Sequence, residues 1–331
     1  MTNQTLAVAS DYAIWGSMIA LAVALVAFSV HLAVTGASKE RSERVDAERR
    51  ELVTVGASSD RSVAGATATS AAGDASSPTA AASRRWGVIG LQLTWLATLG
   101  VVSGTVLRGL SVSRPPLGNM YEFALMASSF ALVIFSVWSL RRSRLWLGAF
   151  IVLPVLVILG TAKLGWYTEA SQLMPALKNV WLVIHVTIAT LSVGLFTIGF
   201  SLATAYLLKD RSEKRGAVKG WLAALPAATT LERLTYSVHI FAFPLWTFAV
   251  ISGSIWAEQA WGRYWGWDPK ETWTFVIWVV YAAYLHARAT TGWTTRKATW
   301  VAIAGFVCVI LNFTAVNLLM TGLHSYSGVA T

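Results

Sequence analysis

Long apolar segments recur along this 331-residue chain. A bilayer hydrocarbon core of ~30 Å requires about 20 helical residues to cross it, and inside it a helix satisfies every backbone hydrogen bond within one segment. Hydrophobic residues make up 55% of the chain and charged residues 13%, which excludes an ordinary water-soluble domain. The sequence therefore predicts an all-α, polytopic integral membrane protein with eight transmembrane segments: 12–34, 86–107, 119–140, 145–162, 179–208, 234–256, 273–290 and 299–319.

Basic residues mark the sides of this predicted bundle, because loops rich in Lys and Arg stay in the cytoplasm. Successive loops between the predicted segments lie on alternate sides of the membrane. Of the 26 Lys and Arg residues, 20 lie in the loops of one side or at the segment ends next to them. The opposite gaps and both tails hold only six: Arg108, Arg114, Lys163, Lys178, Arg263 and Lys270. Both termini are thus predicted outside, with the 257–273 loop. The net charge of +10 reflects topology; with the charges spread over short loops, we expect no nucleic-acid partner.

The first segment has no basic region before it and is too long for a signal peptide, so residues 1–35 are predicted to remain as the first transmembrane helix. Residues 36–85 form a predicted cytoplasmic linker. Its charged beginning, KERSERVDAERRE (39–51), is compatible with a continuation of the first helix, whereas residues 56–83 are rich in Ala, Ser, Gly and Thr and predict disorder. Residues 86–331 form the main membrane domain, in which TTLE (229–232) predicts a helix cap.

The stretch WGRYWGWDPKETW (261–273) concentrates flat aromatic rings in one outer loop. Asp268, Pro269 and Glu271 fit the N-cap, N1 and N3 positions of the next helix. An interfacial aromatic belt accounts for one or two rings per helix end. The surplus favours a large, flat, apolar ligand, held by Trp256, Trp261, Tyr264, Trp265, Trp267 and Trp273.

Haem is such a ligand, and imidazole is its common axial donor. His185 lies just below the outer end of the fifth segment and His324 follows the outer end of the eighth, so both share a side with the aromatic loop. His286 lies near the cytoplasmic end of the seventh segment. For His31 and His239 the sequence favours a structural role. The lone Cys308 is interpreted as a small apolar residue that fills space in the helix bundle. Because the sequence has no CxxCH motif, we expect no haem covalently attached to this chain.

The run EQAWGRYWGWDPKETWTFVIWVVYAAYLHAR (258–288) resembles the tryptophan-rich WWD signature of haem-handling proteins, in particular the CcsA/ResC-type cytochrome c biogenesis proteins of System II. PPLGNMYEF (115–123), WLVIHV (181–186) and NLLMTGLHSY (317–326) are similar to further motifs of that family, in the family's order. The signature of oligosaccharyltransferases is a poorer match, because Pro269 and Lys270 follow the Asp.

The resemblance implies that His185 and His324 are axial ligands of haem b at the outer face, beside the WWD loop. It implies that His286 ligates haem arriving from the cytoplasmic side, with a second ligand from a CcsB/ResB-type membrane protein. Asp268 belongs to the signature, and Arg263 and Lys270 are candidates for propionate contact or solvated loop charges.

The implied function is delivery of non-covalently bound haem across the cell membrane and its presentation to the CxxCH motif of apocytochrome c for thioether attachment. The chain would be one subunit of a cytochrome c synthase, and thioredoxin-like proteins would keep the substrate thiols reduced. Two alternatives stay open: a solute or proton-coupled transporter, and a dihaem electron-transfer protein.

Overall fold

The computed structural model describes residues 3–59, 78–141, 144–173, 177–216 and 218–324. Within these ranges every regular element is helical, and a short 3-10 turn, Leu145–Leu147, precedes α4. The α-helices are α1 Gln4–Ser59, α2 Pro78–Ser111, α3 Met120–Arg141, α4 Gly148–Gly165, α5 Val180–Lys214, α6 Trp221–Ala224, α7 Ala228–Trp261, α8 Pro269–Ala289, α9 Thr295–Phe313 and α10 Ala315–Leu319.

The all-α, polytopic prediction is confirmed, since seven helices are long and apolar enough to cross a membrane. These are α1 to α5, α7, and α9 together with α10. The remaining predicted segment corresponds to α8, which forms over 21 residues but is not among the seven helices that meet the requirements of length and apolarity. The number of spans and the outside position of both termini stay predictions.

The first two helices are longer than the predicted spans. Helix α1 continues through the charged stretch to Ser59. Helix α2 begins at Pro78, so the last part of the predicted linker is helical. The most Ala/Ser/Gly-rich part, residues 60–77, lies outside the described residues.

The two largest of four apolar clusters among the described residues form most of the bundle interior. The first joins α1 to α5 around Phe28, Leu132 and Val155, and the second joins α3, α5, α7, α8 and α9 around Phe196 and Tyr281. Helices α1 and α2 approach closely because Gly100 faces Ser17, and a Cβ on that glycine would lie 2.2 Å from the Ser17 hydroxyl oxygen. Small residues at helix contacts are the usual means of close packing in membranes.

The N-terminal caps of α7 and α8 fix where these two helices begin. The predicted cap of α8 is confirmed: Asp268 and Glu271 form a capping box, with Pro269 in the first turn. The predicted TTLE cap is wrong. Helix α7 already begins at Ala228, whose backbone N–H is bound at 3.2 Å by the Glu213 carboxylate of α5, so another helix supplies the cap.

The eighth predicted span is interrupted near its end. Thr314 adopts φ −102° and ψ −80°, which is not helical and separates α9 from α10. After α10 the chain turns back, and Leu323 donates its backbone N–H to the Asp268 carboxylate at 2.6 Å. The break therefore brings residues 320–324 to the first turn of α8.

Candidate functional site

A cleft opens beside the aromatic loop and enters the helix bundle. The space between its atoms, with open solvent at the mouth included, is about 1210 Å³. Its walls come from the residues before α3, from the aromatic loop and from α3, α5, α7, α8, α9 and α10. Six residues predicted as site residues line it: His185, His324, Trp256, Tyr264, Trp265 and Lys270.

His185 lies in the second turn of α5, the helix that Asn179 caps by accepting the Trp181 backbone N–H at 2.7 Å. Its Nδ1 is 2.7 Å from the carbonyl oxygen of Ala249 on α7. A carbonyl only accepts, so Nδ1 carries the proton and Nε2 carries the lone pair. A Cβ at Gly253 would lie 2.7 Å from the ring, so glycine makes the room that this ring occupies.

His324 reaches the same cleft from the segment that follows α10. Its Nδ1 is 3.0 Å from an oxygen of Asp268, the N-cap residue of α8. The His324 ring meets the edge of Trp261 at 4.7 Å and of Trp256 at 5.7 Å between ring centroids. The loop and the C-terminal segment therefore hold this imidazole together.

The predicted aromatic residues divide into cleft-lining rings and others. Trp256, Tyr264 and Trp265 line the cleft, and Trp261 packs behind Trp256 with ring centroids 4.8 Å apart. Trp267 is 66% exposed and makes its ring contacts with Trp265 and Phe275. Trp273 is half-buried in α8 and outside the set of described residues that line the cleft.

The two basic candidates of the loop differ in position. Lys270 lines the cleft and donates from Nζ to the Asn312 carbonyl oxygen at 2.8 Å and to Asn317 Oδ1 at 2.9 Å. Arg263 is exposed and folds over Gly266, outside the described lining of the cleft. Lys270 thus brings its amino group to the cleft wall, whereas Arg263 lies in the exposed loop.

Asp268 is a buried carboxylate outside the spanning helices, 7% exposed. Burial alone raises the pKa of Asp268. The hydrogen bond from His324, with those from the backbone N–H groups of Lys270 and Leu323, outweighs burial and lowers this pKa below its ordinary value. The carboxylate is therefore ionised at neutral pH and acts only as an acceptor.

A charged cluster that the sequence did not predict supports the opposite wall. Glu122 is fully buried and accepts from Arg108 Nε at 3.0 Å, Arg114 Nη1 at 2.8 Å and the Gly118 backbone N–H at 2.7 Å. Gly118 and the neighbouring Asn119 and Met120 line the cleft. Glu122 and Gly118 belong to the PPLGNMYEF motif, and the two arginines precede it. The motif was therefore visible in the sequence, but the ion pairs of its glutamate were not predicted.

The other histidines lie outside the described cleft lining. His286 is exposed in the last turn of α8. His239 is buried among Phe196, Tyr281 and Tyr284, with Nδ1 2.7 Å from the Thr235 carbonyl oxygen. His31 contacts the Ser83 carbonyl oxygen at 2.8 Å, between α1 and α2. The structure thus brings together two of the three histidines predicted as ligands.

These features define a polytopic helical membrane protein with an aromatic cleft that bears two histidines. A family model described as "Cytochrome C assembly protein" matches residues 117–324, which include the whole cleft. The chain belongs to this family, and it has a role in cytochrome c biogenesis.

Relatives named "Cytochrome c biogenesis protein CcsA" support the assignment. The relative from Guillardia theta is 38% identical over 259 residues, covering 72% of this chain and 85% of the relative. Those from Picosynechococcus sp. and Mesostigma viride are each 33% identical, over 300 and 265 residues. Each alignment covers 71% of this chain, with 88% and 87% of the respective relatives. The resemblance to CcsA-type proteins is thereby confirmed.

Proposed function

We propose that this chain binds haem in the outer cleft and presents it to the CxxCH motif of apocytochrome c, as a subunit of a cytochrome c synthase. The observation that carries the proposal is the pair His185 and His324. Both line one cleft, and Nδ1 of each lies against an oxygen acceptor, at 2.7 Å and 3.0 Å respectively.

This arrangement suits axial ligation. In neutral imidazole, a proton on Nδ1 leaves the lone pair on Nε2, the form that binds a metal. Metal-bound histidines almost always donate their other N–H to a carbonyl or a carboxylate, which fixes the tautomer and the ring orientation. Ala249 and Asp268 offer one acceptor of each kind. The two rings therefore have the chemistry required of haem ligands.

The rest of the cleft suits a flat apolar ring with a charged edge. Trp256, Tyr264 and Trp265 offer aromatic surface, and Phe123 and Phe313 add apolar surface from α3 and α9. Haem carries two propionates, and the amino group of Lys270 in the wall is a donor that would bind a carboxylate. Arg263 remains a candidate for propionate contact at the outside.

His286 supports a separate inner site. Its exposed ring shares a face of α8 with Phe275, Val279 and Ala283, at spacings of three or four residues, and all four are exposed. A polar ring is costly against lipid and usually has a partner. We propose that a CcsB/ResB-type membrane protein covers this face and supplies a second ligand, so that haem is held there before it reaches the outer cleft.

The chain's chemical contribution is holding and orienting. Bound haem b supplies the vinyl groups, and the two cysteines of CxxCH supply the thiols that add to them. The cleft residues hold the porphyrin ring and shield it from water. One edge of the haem stays open to the apocytochrome substrate. Such positioning lowers the barrier by proximity and orientation. Thioredoxin-like proteins keep the thiols reduced, because a disulfide has no thiol to add.

The side of the membrane follows from charge. The gaps that hold most of the Lys and Arg residues are cytoplasmic by the positive-inside rule. We propose that the aromatic loop and the cleft mouth face the extracytoplasmic side of the cell membrane, where CxxCH substrates are modified.

The proposal is tested by co-expressing the chain with a CcsB/ResB-type partner and an apocytochrome c, in bacteria without their own cytochrome c maturation genes. Covalent haem on the cytochrome is measured by haem staining of denaturing gels. Wild type and the control His31→Gln should yield holocytochrome, whereas His185→Gly and His324→Gly should not. Holocytochrome at wild-type levels in both glycine variants would contradict the proposal and favour the transporter alternative.

A further inference from the structure

Asp268 occupies two structural roles at once. One carboxylate oxygen accepts the Lys270 backbone N–H at 3.0 Å, which caps α8, and the same oxygen is 3.0 Å from His324 Nδ1. The other oxygen accepts the Leu323 backbone N–H at 2.6 Å. Helix capping uses only the first of these three contacts.

The contacts beyond the cap all go to the segment that carries His324. A Cβ at Gly322 would lie 2.2 Å from the second Asp268 oxygen, so glycine permits the approach. An asparagine caps a helix about as well as an aspartate, but its side chain offers one acceptor oxygen rather than two. Capping alone therefore does not explain a carboxylate at this position.

The two cleft histidines also differ in their support. His185 is held within α5 and by a backbone carbonyl of α7. His324 lies in a non-helical segment, and its Nδ1 is hydrogen-bonded to the side chain of Asp268. The hydrogen bond at Nδ1 of His324 therefore depends on the identity of a side chain, whereas that of His185 depends on the backbone.

We propose that Asp268 is a positioning residue for His324: its carboxylate holds the imidazole in the Nδ1–H tautomer and turns Nε2 toward the cleft as an iron ligand. The proposal rests on the proposed haem site. It gives the aspartate of the aromatic loop a function in ligation in addition to its place in the helix cap.

The first test needs no haem. Protein labelled with ¹⁵N in histidine is purified as wild type, Asp268→Asn and Gly322→Ala, with His324→Gln to assign the resonance, and the ring nitrogens are observed by NMR. Wild type should show His324 protonated at Nδ1. Asp268→Asn, which keeps a capping side chain, should shift the ring toward a mixture of tautomers, and Gly322→Ala should do the same by displacing the segment.

The second test measures haemin affinity by absorbance titration of the same proteins. Loss of a partner that orients a metal ligand weakens binding roughly 10- to 100-fold, and that is the decrease expected for both variants. Thr294→Ala removes the N-cap of α9, where the threonine hydroxyl oxygen accepts the Lys297 backbone N–H, and should leave haemin affinity unchanged. Added imidazole should restore the spectrum of Asp268→Asn, because it replaces the misplaced ligand.

The outcomes separate this inference from the proposed function. Wild-type tautomer and wild-type affinity in Asp268→Asn would overturn the positioning role while haem binding stood. A decrease of the same size in Thr294→Ala would also overturn it, since loss of any helix cap would then suffice. Failure of wild type to bind haemin would instead contradict the proposed function.

Discussion

The imidazole of His185 and the indole of Trp256 lie nearly parallel, with ring centroids 6.2 Å apart and planes inclined by 10°. Trp256 also meets the His324 ring edge-on, with centroids 5.7 Å apart. One buried indole thus contacts both proposed ligands. Its helix, α7, also carries the Ala249 carbonyl that holds His185.

Replacing Trp256 should therefore weaken haem binding more than replacing an exposed ring of the same loop. Trp256 is 2% exposed and Trp267 is 66% exposed. Each aromatic contact is worth ~0.5–1.5 kcal/mol, or roughly 2- to 10-fold in affinity. We expect Trp256→Ala to lower haemin affinity by at least that factor and Trp267→Ala to change it little, as measured by absorbance titration. Equal losses in the two variants would indicate that the rings act as an interfacial belt.

Lys270 should contribute to the binding of haem through the haem propionates. Its amino group lies in the cleft wall, between Asn312 and Asn317, whereas Arg263 is exposed. Lys270→Met should weaken binding of haemin but not of haemin dimethyl ester, because the ester carries no carboxylates. Arg263→Met serves as the matched control and should leave both affinities near wild type. A larger loss in Arg263→Met would place the propionates at the exposed part of the loop.

Glu122 should contribute strongly to stability. Its carboxylate has no exposed surface, and the side chains of Arg108 and Arg114 beside it are 4% and 7% exposed. Removing one partner of a buried ion pair costs about 3–5 kcal/mol, because the other charge stays buried. Glu122→Gln should lower the unfolding temperature in detergent clearly. Lys214→Ala breaks the more exposed pair with Asp210, which is worth about 0–1 kcal/mol, so it should change that temperature little.

His286 should matter only when the partner is present. Its ring is exposed on α8 and lies outside the described cleft lining. His286→Gly should lower the haem that co-purifies with the chain and a CcsB/ResB-type partner, but should leave haemin titration of the isolated chain unchanged. Loss of titratable haemin in the isolated variant would contradict two separate sites.

The sequence predicted those features that depend on local pattern. Each apolar segment corresponds to a long helix, except that the eighth is divided between α9 and α10, because length and apolarity suffice to predict a span. The α8 cap followed from Asp268, Pro269 and Glu271 alone, since its contacts lie within four residues. The shared cleft of His185 and His324 followed from their common side of the membrane and from the family resemblance.

Features that depend on contacts between distant segments were not predictable in this way. Glu213, which belongs to α5, supplies the α7 cap that TTLE was expected to supply. The charged cluster joins α2 to the first turn of α3. Trp267 belongs to the same loop as Trp265, yet it is exposed, at a position where the backbone has φ +58°. Spacing alone did not distinguish these two rings.

The central claim is that His185 and His324 hold one haem in the outer cleft. It is tested most directly by the visible absorption spectrum of the detergent-purified chain, co-expressed with its partner, as wild type and as His185→Gly, His324→Gly and His286→Gly. We expect a Soret band in wild type, and in each of the two outer-site variants a weakened band that added imidazole restores. Wild-type protein without haem, or full spectra in both outer-site variants, would contradict the claim.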